Sequence, residues 1–173
     1  GTGLHRSGST WVGKMIAKSL EVGYIHEPFN PHHQPGVCAV EWDYWFPYIC
    51  NENEDYYYKH IVDTVNFHYH PFKQILHLKK SRDLFNAFKD LADFAVYRLK
   101  KNRPLLKDPM AFFSVEWLEN RFDMNVIVLI RHPAAFAASL KRMNWTFDFF
   151  NFFNQPLLMR DHLSSFESKI KEF

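Results

Sequence analysis

The stretch Gly3-Leu4-His5-Arg6-Ser7-Gly8-Ser9-Thr10-Trp11 decides the fold. It has the frame G-x4-G-x-T, the spacing of a phosphate-binding loop. Trp11, Met15, Ile16 and Leu20 then recur at helical spacing, so the loop opens a helix over about residues 9–20. A nucleotide triphosphatase ends such a loop in Gly-Lys-Ser/Thr. Here Ser9 stands where the Lys belongs, and Arg6 supplies a cation two residues before Gly8. The backbone logic survives this change. Glycines let successive N–H groups turn toward one ligand, and the helix N-terminus adds partial positive charge. Ser7, Ser9 and Thr10 add hydroxyl donors. What is lost is the Lys that reaches the β- and γ-phosphates, and with it the case for ATP plus magnesium. The pattern suits an anion; read alone, it also fits a Gly/Ser-rich helix cap with no ligand.

Outward from this loop, short apolar runs alternate with helical patterns. Residues 22–25 form a strand candidate, and 27–36, with three prolines, read as loop. Residues 56–66 read as a helix. Ser81 is placed to cap the next one, in which Leu84, Phe85, Phe88, Leu91, Ala92, Ala95, Val96 and Leu99 follow i, i+3, i+4 spacing. Residues 104–107 predict a short strand and 111–122 a helix. Asn-Val-Ile-Val-Leu-Ile at 125–130 reads as a buried strand, with Pro133 fitting the first turn of the helix after it. The tail from Trp145 reads as helical and amphipathic. Strands alternating with helices predict an α/β domain with a mainly parallel sheet, whose ligands sit at the carboxyl ends of the strands.

The 173 residues suit one domain, and the pattern shows no internal boundary. With 21 Lys plus Arg against 19 Asp plus Glu, the net charge of +2 excludes a broad nucleic-acid binder and leaves local basic sites. No window of 18 apolar residues predicts a membrane span. Cys38 and Cys50 are too few for a disulfide framework and point to a reducing, cytoplasmic setting. The first residues carry neither a Met nor the strand that usually precedes such a loop, so a fragment cut at both ends is expected.

A second anion site follows strand 125–130. Arg131 stands at the strand end, and Ser139 follows eight residues later on the next helix. Two anion-binding elements on one sheet edge suit a ligand with two separated charged groups. Arg131 taken alone fits a structural ion pair equally well.

These residues carry a resemblance. Arg6-Ser7-Gly8-Ser9-Thr10-Trp11 resembles the 5'-phosphosulfate loop of the sulfotransferase superfamily. Ile130-Arg131-His132-Pro133 with Ala138-Ser139 resembles its 3'-phosphate motif, with His132 where many relatives have Asp. His26-Glu27-Pro28-Phe29 is similar to the Glu-Pro segment of carbohydrate sulfotransferases, and Glu27, 21 residues after Arg6, is placed like the base of tyrosylprotein sulfotransferases. Leu106-Lys107-Asp108-Pro109 resembles the Lys-Asp-Pro segment of the tyrosylprotein enzymes. The resemblance implies a P-loop-like sulfotransferase fold in a truncated member of bacterial type, with residues 1–173 as one domain whose C-terminal part is missing. It also implies 3'-phosphoadenosine 5'-phosphosulfate (PAPS) as co-substrate, no metal, and a small-molecule or carbohydrate acceptor. In these terms Arg6, Ser7, Gly8, Ser9, Thr10 and Trp11 hold the 5'-phosphosulfate, and Arg131 and Ser139 the 3'-phosphate. Glu27 is the base, with His26 its competitor, and Lys107 stabilises the leaving group.

Two other readings stay open: a phosphate-loop kinase or hydrolase, and a non-catalytic binding module on the same scaffold. The histidines at 32, 33, 60, 68, 70 and 77 match no compact zinc pattern. Lys79-Lys80 and Lys100-Lys101 read as solvated helix ends. The aromatic stretch 42–58 fits core packing and an acceptor pocket equally.

Overall fold

The computed structural model describes residues 1–3, 6–78 and 81–172. Leu4 and His5 of the opening loop, Lys79-Lys80, and the side chain of Ser81 lie outside the described residues. The elements run β1 (Thr2–Gly3), α1 (Ser9–Ile16), β2 (Val22–His26), α2 (Glu54–Val65), α3 (Pro71–Leu76), α4 (Ser81–Leu99), β3 (Arg103–Lys107), a 3-10 turn (Met110–Ser114), α5 (Val115–Phe122), β4 (Val128–Leu129) and α6 (Pro133–Arg142). β2 pairs with β3 and β1 with β4, both in parallel. Gly1 joins the pairs: its amine donates to the Leu106 carbonyl at 2.6 Å, and its carbonyl accepts from the Asp108 N–H at 3.0 Å. The two two-stranded parallel sheets, β2-β3 and β1-β4, are thus joined edge to edge at Gly1. Every loop that follows a strand emerges at one edge, so the expected α/β class with a parallel sheet holds.

The core lies between the sheet and the aromatic segments. Ile25 and Leu106 of the sheet meet Phe29, Trp42, Phe46 and Ile61. Trp42 is sandwiched between Phe29 (4.7 Å, 18°) and Tyr57 (5.4 Å, 8°), and its Nε1 donates to the Pro28 carbonyl. Much of stretch 42–58 is thus core. Tyr44, Tyr48 and Tyr57 also line a cavity of about 150 Å³. Gly23 of β2 lies under rings: a Cβ there would stand 2.4 Å from Phe67 Cζ and 2.9 Å from Tyr97 Cγ. Gly23→Ala should therefore cost about 1–3 kcal/mol, the usual range for overpacking, read as a lower urea midpoint at unchanged m-value.

Several sequence expectations are corrected. Stretch 125–130 is not a buried strand. Only Val128–Leu129 is strand, Ile127 and Val128 are 42% exposed, and Ile130 is 88% exposed. Its apolar residues look onto open space because β1 is its one strand partner among the described residues, and a cavity of about 860 Å³ lies at the amino ends of the strands. The tail is helical but no single helix: a short helix Phe150–Phe153 is separated, at Pro156, from an irregular helical run over 156–170 made of consecutive α, π and 3-10 segments, because Pro156 cannot continue a helix from 153. The α4 helix forms as expected, but its apolar stripe faces outward. It packs instead through Ala87 and Phe94, the latter against Phe67 at 5.6 Å and Tyr69 at 6.0 Å. Helix α1 also ends at Ile16, short of Leu20, and α3 was not foreseen.

Candidate functional site

The carboxyl edge of the sheet gathers four segments. After β1, Arg6 has φ 63° and Gly8 φ 96°, a left-handed pair that turns the loop into α1; the αL conformation at Gly8 is one that glycine adopts without strain. The Gly8 carbonyl already accepts from the N–H groups of Trp11 and Val12, leaving the amides ahead of them at the open end of the helix. Ser9 is buried, Thr10 is exposed and Trp11 is 69% exposed. Ser7 Oγ is buried and has no hydrogen-bond partner. A buried hydroxyl without a partner beside free helix-end amides matches a loop built to receive an anion.

The second motif docks onto this loop. Arg131 Nη1 donates to the Arg6 carbonyl at 2.9 Å, and Arg6 Nε donates to Ser139 Oγ at 3.2 Å. Ser139 is 1% exposed. Residues 133 positions apart in sequence thus share one basic patch with the loop. His132 is the N-cap of α6, its Nδ1 accepting from the Ala134 N–H at 3.2 Å, with Pro133 at the first helical position. The imidazole nitrogen thus supplies the acceptor that this helix start needs.

Between these sits a buried ion pair. Glu27 follows β2 with φ 47°, its N–H bonded to the Lys107 carbonyl at 2.9 Å. Lys107, the last residue of β3, donates through Nζ to Glu27 Oε1. The Lys107 side chain is 3% exposed and that of Glu27 21%. The stem of Lys107 runs beneath α1, where a Cβ on Gly13 would meet Lys107 Cγ at 3.0 Å. Burial raises the Glu27 pKa, but the hydrogen bonds from Lys107 and Asn30 and the nearby positive charge outweigh it and hold the carboxyl below its ordinary value. His26 hydrogen-bonds Tyr24 through Nδ1 at 3.3 Å, and burial lowers its pKa, keeping the imidazole neutral near pH 7. Burial, with the nearby Glu27 carboxylate, pushes the Tyr24 phenol up to about 12.

Two positioning residues were not found by sequence reasoning. Asn30 Nδ2 donates to Glu27 Oε2 at 2.9 Å, and its Oδ1 accepts from the His32 N–H at 2.8 Å. Asp108, fully buried, accepts from the Phe29 N–H at 2.6 Å and the Met110 N–H at 2.8 Å. It pins the loop carrying Glu27 to the end of β3. Desolvation raises the Asp108 pKa to about 7. Asn three residues after a loop Glu, and Asp directly after the strand Lys, were the available signals.

Among the described residues, no group of His, Cys, Asp and Glu is placed to hold a metal ion, and no helix is long and apolar enough to cross a membrane. His68 and His70 instead both approach Asp63, at 3.3 and 3.8 Å. The family model described as "Sulfotransferase family" matches residues 1–170. No curated protein and no solved structure matches the chain.

Proposed function

The chain belongs to the sulfotransferase family, and from that premise we propose that it moves a sulfuryl group from PAPS to a hydroxyl or amine of a small-molecule or carbohydrate acceptor. The observation that carries this reading is the Glu27–Lys107 pair at the carboxyl edge, next to a loop with an unpartnered buried hydroxyl at Ser7. The residues fit such a co-substrate. Arg6, Ser7, Gly8, Ser9 and Thr10 with the start of α1 form the cradle for its 5' end, and Trp11 flanks it. Arg131 and Ser139, joined to that cradle through Arg6, take the 3'-phosphate. PAPS supplies an activated sulfuryl group on a phosphate leaving group.

The rest falls to the chain. Sulfuryl transfer, like phosphoryl transfer, is served mainly by positioning and charge stabilisation. Glu27 Oε accepts the proton of the acceptor as the new bond forms. Lys107 Nζ, held under α1, donates to the oxygen on which negative charge grows. Lys107 on one Glu27 oxygen and Asn30 on the other fix the orientation of the carboxylate, whose remaining lone pairs take the proton. His26, neutral and shared with Tyr24, is the competing base. Both cysteines are free thiols, in keeping with a reducing, cytoplasmic setting.

The deciding measurement pairs binding with turnover. Adenosine 3',5'-bisphosphate, the desulfated product, should raise the melting temperature without magnesium, and labelled sulfate should pass from PAPS to acceptors in a hydroxyl and amine panel. Stabilisation by ATP–magnesium alone overturns the reading in favour of a phosphate-loop kinase or hydrolase. Product binding without transfer to any acceptor points to a non-catalytic module.

A further inference from the structure

The imidazole of His33 stands between two carbonyl groups. Its Nδ1 lies 2.7 Å from the Asn30 carbonyl oxygen, and its Nε2 lies 2.7 Å from that of Cys38. A carbonyl oxygen only accepts, so each short contact needs an N–H on the ring. A neutral imidazole has one N–H and the imidazolium has two. On a neutral ring, one nitrogen would turn its lone pair on a carbonyl oxygen at hydrogen-bond distance. The two contacts together describe a charged, doubly donating ring.

The two carbonyls belong to the two ends of the segment behind Glu27. Asn30 is bound to Glu27 twice: its N–H donates to the Glu27 carbonyl at 3.1 Å, and its Nδ2 to Glu27 Oε2 at 2.9 Å. The other end is anchored on α2 and α3. The Val37 carbonyl accepts from Thr64 Oγ1 at 3.1 Å, the Gly36 N–H donates to Gln74 Oε1 at 2.9 Å, and Cys38 is fully buried. The His33 ring thus ties the turn that holds Glu27 to a fixed part of the chain. Loss of one ring proton breaks the tie at a definite end. Among the described residues, the Cys38 carbonyl has no donor besides the ring, whereas the Asn30 carbonyl also accepts from the His33 N–H at 2.8 Å. The remaining proton therefore stays on Nε2, and the Nδ1 lone pair is left against Asn30.

We propose that His33 is a positioning residue for the base, an imidazolium clasp whose Nδ1–H holds the Asn30 turn, and through it the Glu27 carboxylate, in place. The inference rests on the reading of Glu27 as base. Burial is the largest influence on the ring and lowers its pKa; the two carbonyls work the other way, and His77, next after α3, lowers it further. The Cys38 thiol, pushed up to about 11 by burial, stays uncharged, and Lys73 of α3 is engaged by the Ala39 carbonyl at 2.8 Å. No carboxylate is in ion-pair reach of His33 among the described residues. The clasp is closed in acid and opens as pH rises through a midpoint below the ordinary imidazole value.

Nitrogen NMR of the isotope-labelled chain, titrated across about pH 5 to 8, tests the clasp without reference to turnover. At the acid end, His33 should show N–H signals at both ring nitrogens. As pH rises the Nδ1 proton should be lost, and the side-chain amide signals of Asn30 should move with the same midpoint. In kinetics, kcat should fall about 5-fold through that midpoint, the worth of one ordinary hydrogen bond, while KM for PAPS holds. His33→Gln, with a single donor nitrogen, should lack both the amide titration and the kinetic fall and run at the lower rate; the wild-type titration decides even where that variant fails to fold. One ring N–H at every pH, Asn30 signals that ignore the His33 titration, or a kinetic fall that persists in His33→Gln each overturns the inference. The NMR readings report the clasp alone, so their failure is distinct from a failure of Glu27 as base, which Glu27→Gln reports.

Discussion

Glu27→Gln lowers kcat by about 10²–10⁴-fold, the contribution expected of a positioned general base, while the affinity for adenosine 3',5'-bisphosphate stays within a few-fold. The amide is nearly isosteric and keeps an oxygen for Lys107, so the local structure is preserved and what is removed is the capacity to accept a proton. The pH profile carries the sign. Because the hydrogen bonds from Lys107 and Asn30 more than offset burial, the folded carboxyl titrates below its ordinary value. The wild-type acid limb of kcat/KM accordingly falls below the usual glutamate range, and the base is ionised at neutral pH. A His26→Ala variant should retain most of the turnover. Full activity in Glu27→Gln together with loss in His26→Ala would move the base to the imidazole.

The parts of this site legible in the sequence are those where backbone geometry restricts residue choice. A loop that turns through left-handed conformations at Arg6 and Gly8 and starts a helix needs glycine and small hydroxyl residues at fixed spacing. A strand ending in a cation before a proline-started helix leaves an equally fixed mark at Arg131, Pro133 and Ser139. The Glu27–Lys107 contact joins residues 80 positions apart, and only the resemblance had named the two together; no local rule pairs the ends of β2 and β3. Asn30 and Asp108 escaped because their roles lie in hydrogen bonds to a neighbour's side chain and backbone, which spacing does not encode.

The fold was less evenly legible, for a related reason. Periodicity identifies α4 as a helix, but it cannot say which neighbour takes the apolar side. Phe94 makes the contact with the Phe67–Tyr69 segment, Ala87 is buried beside it on the helix, and the longer stripe is left outside. In the same way an unbroken apolar run at 125–130 signals a strand that wants cover on both faces, whereas β4 has β1 as its partner on one side and a cavity near the amino ends. Apolar patterning thus reports what a segment needs, and topology decides whether the described residues supply it.

Lys107→Met should prove the more informative loss. Removing a preorganised donor at the site of developing negative charge costs about 10²–10³ in kcat, and methionine keeps the apolar stem that packs beneath Gly13. The substitution also strips Glu27 of its main counter-charge. Burial, the largest influence on that carboxyl and one that raises its pKa, then acts almost unopposed apart from Asn30. The acid limb of kcat/KM must therefore move to higher pH. Stability should fall by less than the about 3–5 kcal/mol typical of orphaning a fully buried charge, because Glu27 is 21% exposed and free to take up a proton. That relief has a direction as well: the variant recovers stability as pH drops, since protonation in the folded state then precedes protonation of the unfolded chain. The double variant Glu27→Gln/Lys107→Met should be no slower than the worse single one, as expected when two groups act as a unit. Additive losses would show that the two groups act independently, and an acid limb that stays where it was would show that Glu27 is not the group titrating in it.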